Sequence, residues 1–279
     1  MSPQLHTQIY GFHQHSFGQS VRVGGWRPTV FMQHGLQVAL WMAGCVVLAF
    51  SQWWVGGRRR FSAVPMWSVL STLCVTFLLL KSTGALVLAI LGITSIFVAT
   101  KMRTRIPLLI LPAVACGYLV CRSNDLYSGR GLVDVTRTYV SEERAQSLEF
   151  RLDNEDLLLK KAWQQPVFGW GGWGRNRVYN EDGRDVTITD GLWIIEFGTH
   201  GLIGLVSLYA LQIVGGLNVV SKLKLKVSDV GDLDFANEIG LCIICGIATI
   251  DTLPNAMVIP IFTMSLGALS SSSLSWRSR

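Results

Sequence analysis

Residues 141–204 read SEERAQSLEFRLDNEDLLLKKAWQQPVFGWGGWGRNRVYNEDGRDVTITDGLWIIEFGTHGLIG. This is the one long, charge-dense stretch of the chain, and it runs directly into an apolar helix pattern after Thr189-Asp190-Gly191. On either side of it lie apolar runs that approach the ~17–25 residues needed to cross a bilayer. Of the 279 residues half are hydrophobic and 15% are charged, where a soluble domain carries roughly a quarter charged residues. Mean hydropathy is +0.39. The fold class that follows is all-α: a polytopic membrane protein of about seven transmembrane helices with one large outer-face loop.

Working outward, residues 1–34 form a polar, Gly-rich tail without a basic-then-apolar signal peptide. His6, His13 and His15 lack acidic or cysteine companions there, which favours a flexible tail over a metal site. Four spans are expected within 35–121, at about 36–55, 65–80, 84–100 and 106–121. The loop covers 122–189. Three further spans, at about 191–217, 238–250 and 254–270, and a short tail fill 190–279. The sixth is short enough to be re-entrant. All six cysteines fall in apolar runs, and the pair Cys242/Cys245 has no second ligand pair at metal spacing.

Loop charge sets the orientation. With Arg58–Arg60 in the cytoplasm, the Lys101/Arg103/Arg105, Lys222/Lys224/Lys226 and Arg277/Arg279 clusters fall on the same side. Basic residues in short cytoplasmic loops also account for the formal charge of +6 without nucleic acid. The tail and the 122–189 loop are then on the outer face. An exported tail with no preceding span is unusual, and it suggests the C-terminal part of a longer protein or a displaced start.

Within the loop, Ser141 followed by Glu142 and Glu143 is an N-cap with acids in the first turn. It opens a helix over about 142–164 that stops before Pro166. Leu148, Leu152 and Leu159 form its apolar side. Arg144 and Arg151 share a face and are placed to meet one anion, or else pair with Glu143, Glu149 or Glu155. Pro166-Val167-Phe168-Gly169-Trp170-Gly171-Gly172-Trp173-Gly174-Arg175 is a turn whose glycines permit close backbone approach. It reads as a sugar-shaping loop or as an aromatic turn at the membrane interface. Asp190 is expected to cap the next helix. Glu196 and His200 lie on one face of that helix, as a functional pair or as a contact holding helices together.

Taken together, Arg151, Pro166-x-x-Gly169-x-Gly171, Asp190-x-x-Trp193 and Gly201-x-x-Gly204 resemble the O-antigen ligase/O-antigen polymerase family. Its members carry an Arg, a P-x-x-G-x-G turn, a His-Asn-x-Tyr leading into a helix, and G-x-x-G eleven residues after the His. Arg27-Pro28-Thr29-Val30-Phe31-Met32-Gln33-His34-Gly35 is similar to the family's R-x-x-G-x-F-x-N-x-N lead-in to a span, and Lys81-Ser82-Thr83-Gly84-Ala85 to its S-R-G or S-K-T turn. The resemblance covers roughly 27–215.

The resemblance implies a glycosyltransferase of the bacterial inner membrane, working at the outer face. It would move a glycan from an undecaprenyl-diphosphate carrier to a hydroxyl of a lipid or another glycan, among membrane lipids, with no metal, nucleotide cofactor or nucleic acid. Arg151, with Arg144, would hold the diphosphate through forked hydrogen bonds. Gly169, Gly171, Trp173, Arg175 and Trp193 complete the substrate side. The family's His-Asn is Asp190-Gly191 here, so Asp190 inherits only the role of base, with His200 as second candidate. A transporter or flippase-like protein and a catalytically inactive scaffold are the rival readings.

Overall fold

A computed structural model describes residues 3–12, 21–22, 25–223 and 231–275. It is mostly helical. Among the described residues five helices are long and apolar enough to cross a membrane. They are α2 (Gly35–Trp54), α4 (Thr83–Met102), α5 (Ile106–Ser123), α8 (Leu192–Lys222) and α9 (Leu233–Asp251). About seven had been expected. The second and seventh expected spans are helices, α3 (Met66–Leu79) and α10 (Pro260–Ser275), of 14 and 16 residues. At 1.5 Å per residue α3 reaches about 21 Å, short of a ~30 Å hydrocarbon core, and the described part of α10 spans about 24 Å. The sixth, by contrast, is longer than its apolar run implied: α9 has 19 residues.

Among the described residues, parts of the tail have regular secondary structure. It holds helix α1 (Pro3–Tyr10) and a hairpin of β1 (Val21–Arg22) with β2 (Gly25–Trp26). His6 lies on α1, where Nδ1 bonds the Phe12 carbonyl at 3.1 Å. His13, His15, Lys224, Lys226, Arg277 and Arg279 lie outside the described residues.

The chain divides into two compact units. One comprises Met1–Leu111, Val214–Ala248 and Met257–Arg279. Its core joins α2, α3 and α4 through Val38, Ala39, Ala43, Val46, Phe77 and Ala89. Small residues let these helices approach closely: a Cβ on Gly92 would press on Val47 and Ile243, and one on Gly240 on Leu48 and Ser51. Close packing of this kind substitutes for the hydrophobic drive that lipid does not supply. Polar bonds seal the helix ends, with Ser51 Oγ donating to Ala236 O at 2.6 Å and Arg105 Nη1 to Ser221 O at 2.8 Å. A second hairpin, β3 (Arg60–Phe61) with β4 (Val64–Pro65), carries the basic turn after α2.

The other unit, Pro112–Ile213 with Thr249–Ala256, contains the polar stretch. Its long helix α7 (Glu142–Ala162) ends two residues before the expected limit and starts where the sequence placed it, Ser141 Oγ accepting from Arg144 N. Leu152 and Leu159 are buried on it. A preceding helix, α6 (Arg130–Tyr139), was not anticipated; it packs Val133 against Ala145, Leu148 and Leu152 of α7. The main core of this unit gathers Ala115 and Leu119 of α5, Leu158 and Ala162 of α7, and Trp193 and Phe197 of α8.

Candidate functional site

The centre of the second unit is a buried polar network that the sequence reading did not isolate. Arg122, in the last turn of α5, is 1% exposed. Its Nε lies 3.3 Å from Glu155 Oε2 and its Nη1 2.8 Å from Asp156 Oδ1. Nη2 donates to Leu152 O at 2.9 Å. Glu155 also accepts from Tyr118 Oη at 2.8 Å and from Trp193 Nε1 at 3.3 Å. Burial pushes the Glu155 carboxyl up, against the pull of hydrogen bonds from Tyr118, Trp193 and Arg122 and of the Arg122 charge. Buried ions of this sort persist only when every partner is supplied. In the sequence, Arg122 reads as an ordinary flanking charge after an apolar run, so only the fold reveals it as a hub.

Two consequences follow for the expected site. Trp193 is fully buried with its indole N–H spent on Glu155, so it belongs to the core and not to a substrate-facing surface. Glu155 and Glu149 are engaged elsewhere, by Arg122 and by Arg130 and Arg137. They therefore do not neutralise Arg144 and Arg151. Arg144 is exposed and makes no ion pair among the described residues.

Arg151 instead meets Asp190. Its Nε lies 3.3 Å from Asp190 Oδ2, with 37% and 38% of the two side chains exposed. Its Nη1 donates to Pro254 O at 3.3 Å. A guanidinium has five N–H donors, so this arrangement leaves a solvent-facing share of them for an anion. Asp190 does not cap α8 as expected. Gly191 O accepts from Ile195 at 3.4 Å, Leu192 N donates to Thr252 O at 3.0 Å, and the Asp190 carboxylate turns to Arg151. Gly191 also meets a steric need, since a Cβ there would collide with the Leu253 carbonyl.

The glycine-rich turn has a definite backbone task. Helix α8 breaks at Gly201, which takes φ 67° and ψ −164°. A break strands carbonyls on one side and N–H groups on the other. Segment 166–171 satisfies both. Trp170 N and Gly171 N donate to Gly198 O and Thr199 O at 2.8 Å each. Leu202 N and Ile203 N donate to Pro166 O and Val167 O at 2.7 and 3.4 Å. The chains pass so closely that a Cβ on Gly169 (φ +69°) would sit 2.6 Å from Thr199 O and from Gly201 N. The P-x-x-G-x-G turn and the G-x-x-G pair are thus two halves of one device. Lys161 Nζ stacks 3.7 Å over the Trp170 ring and Trp170 Nε1 donates to Lys161 O, fixing the turn on α7.

His200 sits at this break. Its Nδ1 lies 2.7 Å from Glu196 Oε2, on an exposed face. A Cβ at Gly204 would run into His200, so the second glycine is what admits the ring there. Along the helical rise, His200 is about 12 Å from the start of α8, so the fold separates the two candidate bases and pairs only Asp190 with Arg151. Trp173 is 98% exposed, and Arg175 is exposed with Nε donating to Gly172 O at 3.1 Å.

Beyond the turn, Arg177 and Asp185 pair at 2.6 Å across a small hairpin. Desolvation disfavours the charged Asp185, but hydrogen bonds from Arg177 and Thr187 outweigh it and hold its carboxyl below the usual range. In the first unit the two weaker motif matches also meet: Arg27 Nη2 donates to Lys81 O at 3.3 Å, and His34 Nδ1 accepts from Leu36 N to cap α2. No protein-family model, curated protein or solved structure matches the chain.

Proposed function

We propose that the chain is a membrane glycosyltransferase of the O-antigen ligase/polymerase kind, acting at the outer face of a bacterial inner membrane. The observation that carries this reading is the Arg151–Asp190 pair. The two residues lie far apart in sequence, yet they meet half-exposed at the start of α8. In the proposed reaction the acceptor hydroxyl gives its proton to Asp190 as its oxygen attacks the anomeric carbon. The bond from that carbon to the carrier's diphosphate breaks with its electron pair on the phosphate oxygen. Arg151 neutralises that leaving group, aided by Arg144 along α7. Arg175 and the exposed Trp173 offer a charged and an aromatic surface for the glycan.

The test is deletion of the gene in its own host, followed by complementation with wild type and with Arg151→Ala. Surface polysaccharide is resolved on a gel, and membrane insertion of each variant is checked by fractionation. Loss of the ladder, restored by wild type and not by a normally inserted Arg151→Ala, is expected. An unchanged ladder on deletion, or full rescue by Arg151→Ala, overturns the mechanism.

A further inference from the structure

We propose that helix α6 lies in the membrane–water boundary, with the face carrying Leu132, Val135 and Tyr139 dipped into the acyl layer. The three residues recur at the i, i+3, i+7 spacing of one helical face, and all three are exposed. Val140 and Leu126, just outside the helix, are exposed as well. An apolar face of this kind left open to water marks an interaction surface.

The occupant follows from where the helix stands. Leu126 N and Tyr127 N bond back to Cys121 O, folding the connection against the end of the α5 span. At that same end the exposed Trp163 donates its indole N–H to Ser123 O. A tryptophan with one wet side at the end of a span is the usual marker of the headgroup level. Helix α6 therefore starts at the depth of the interface.

Its charges agree with this placement. Arg130 pairs with Glu149 and Asp153 at 2.8 and 2.6 Å. Arg137 pairs with Glu142 and Glu149 at 2.9 and 3.2 Å. Both arginines are thus turned towards α7 and neutralised, which leaves the outward face uncharged. Docking is driven by burial of apolar side chains and needs no anionic lipid.

The test places a nitroxide, carried on p-acetylphenylalanine to bypass the six native cysteines, singly at Asp134, Val135, Thr138 or Tyr139. The full chain is reconstituted in phosphatidylcholine vesicles, and collision rates with oxygen and with a water-soluble nickel chelate are measured. Labels at 135 and 139 are expected to collide several-fold more with oxygen than with the chelate, and labels at 134 and 138 the reverse. Equal chelate collisions at all four positions would put the face in water and overturn the proposal. Shielding of 135 and 139 from both reagents would assign the face to a protein partner or a second copy, and would overturn it too.

Discussion

Replacing Gly169 by alanine tests the account of the broken helix most directly. Two separate costs are expected. The residue has φ +69°, a left-handed conformation that costs an L-residue about 1–2 kcal/mol. The new Cβ would also stand 2.6 Å from Thr199 O and Gly201 N, and these are backbone atoms that cannot swing away. The turn must therefore retreat, weakening the bonds from Trp170 N and Gly171 N to the stranded carbonyls of Gly198 and Thr199. At about 1 kcal/mol for each bond, the total comes to about 3–4 kcal/mol. Gly171→Ala shares the positive φ, but its obstacle is the movable end of the Arg175 side chain. Only the conformational cost of about 1–2 kcal/mol should remain. Gly172 faces open space, so Gly172→Ala should fall within about 0.5 kcal/mol of wild type. Reversible unfolding by SDS titration in mixed micelles, followed by tryptophan emission, measures all three. Hydrogen exchange at residues 202 and 203 reports whether the turn has lifted off. The reasoning fails if Gly169→Ala and Gly172→Ala are equally stable, or if those two amides keep wild-type protection.

Two further perturbations address the buried network. Arg122→Leu strands Glu155 and Asp156 without their cation and should cost about 3–5 kcal/mol. The double variant Arg122→Leu/Glu155→Leu should recover much of that loss, and a double variant no more stable than the single would sink the pairing argument. Because burial raises the Glu155 carboxyl, the folded protein binds that proton more tightly than the unfolded chain. The resulting stability is present below the unfolded value of about 4.3 and is lost as pH rises through the higher folded value. Glu155→Gln should flatten the fall in unfolding free energy across that interval, and an unaltered slope in the variant would contradict it.

Some elements were legible in the sequence because their causes are local. Helix α7 was placed almost to the residue, since Ser141 with two following glutamates and Pro166 downstream fix its ends through neighbouring atoms. The membrane class followed from apolar composition, which sums over the chain and needs no contact map. Helix α6 escaped notice because Arg130 and Arg137 make its segment look polar. Both charges are cancelled by acids on α7, twelve or more residues away in the longest pairs. Of the expected spans, those at α3 and α10 are helices of 14 and 16 described residues, because an apolar run does not reveal where the backbone stops turning.

The sequence by itself indicated a mostly helical chain with helices long and apolar enough to cross a membrane, and it picked out Arg151, Asp190, the glycine-rich turn and the Gly201–Gly204 pair as features set apart from their surroundings. Tertiary structure decided what they touch. It alone joined Arg151 to Asp190 and separated His200 from that pair. It also turned the glycine motifs into a single seal on a broken helix and withdrew Trp193 into the core. The physical reason is the range of the forces. Caps, turns and apolar periodicity act over a few residues and are written in order along the chain. An ion pair, a stranded carbonyl and a buried indole depend on which distant backbone folds against them, and one strand of sequence does not carry that information.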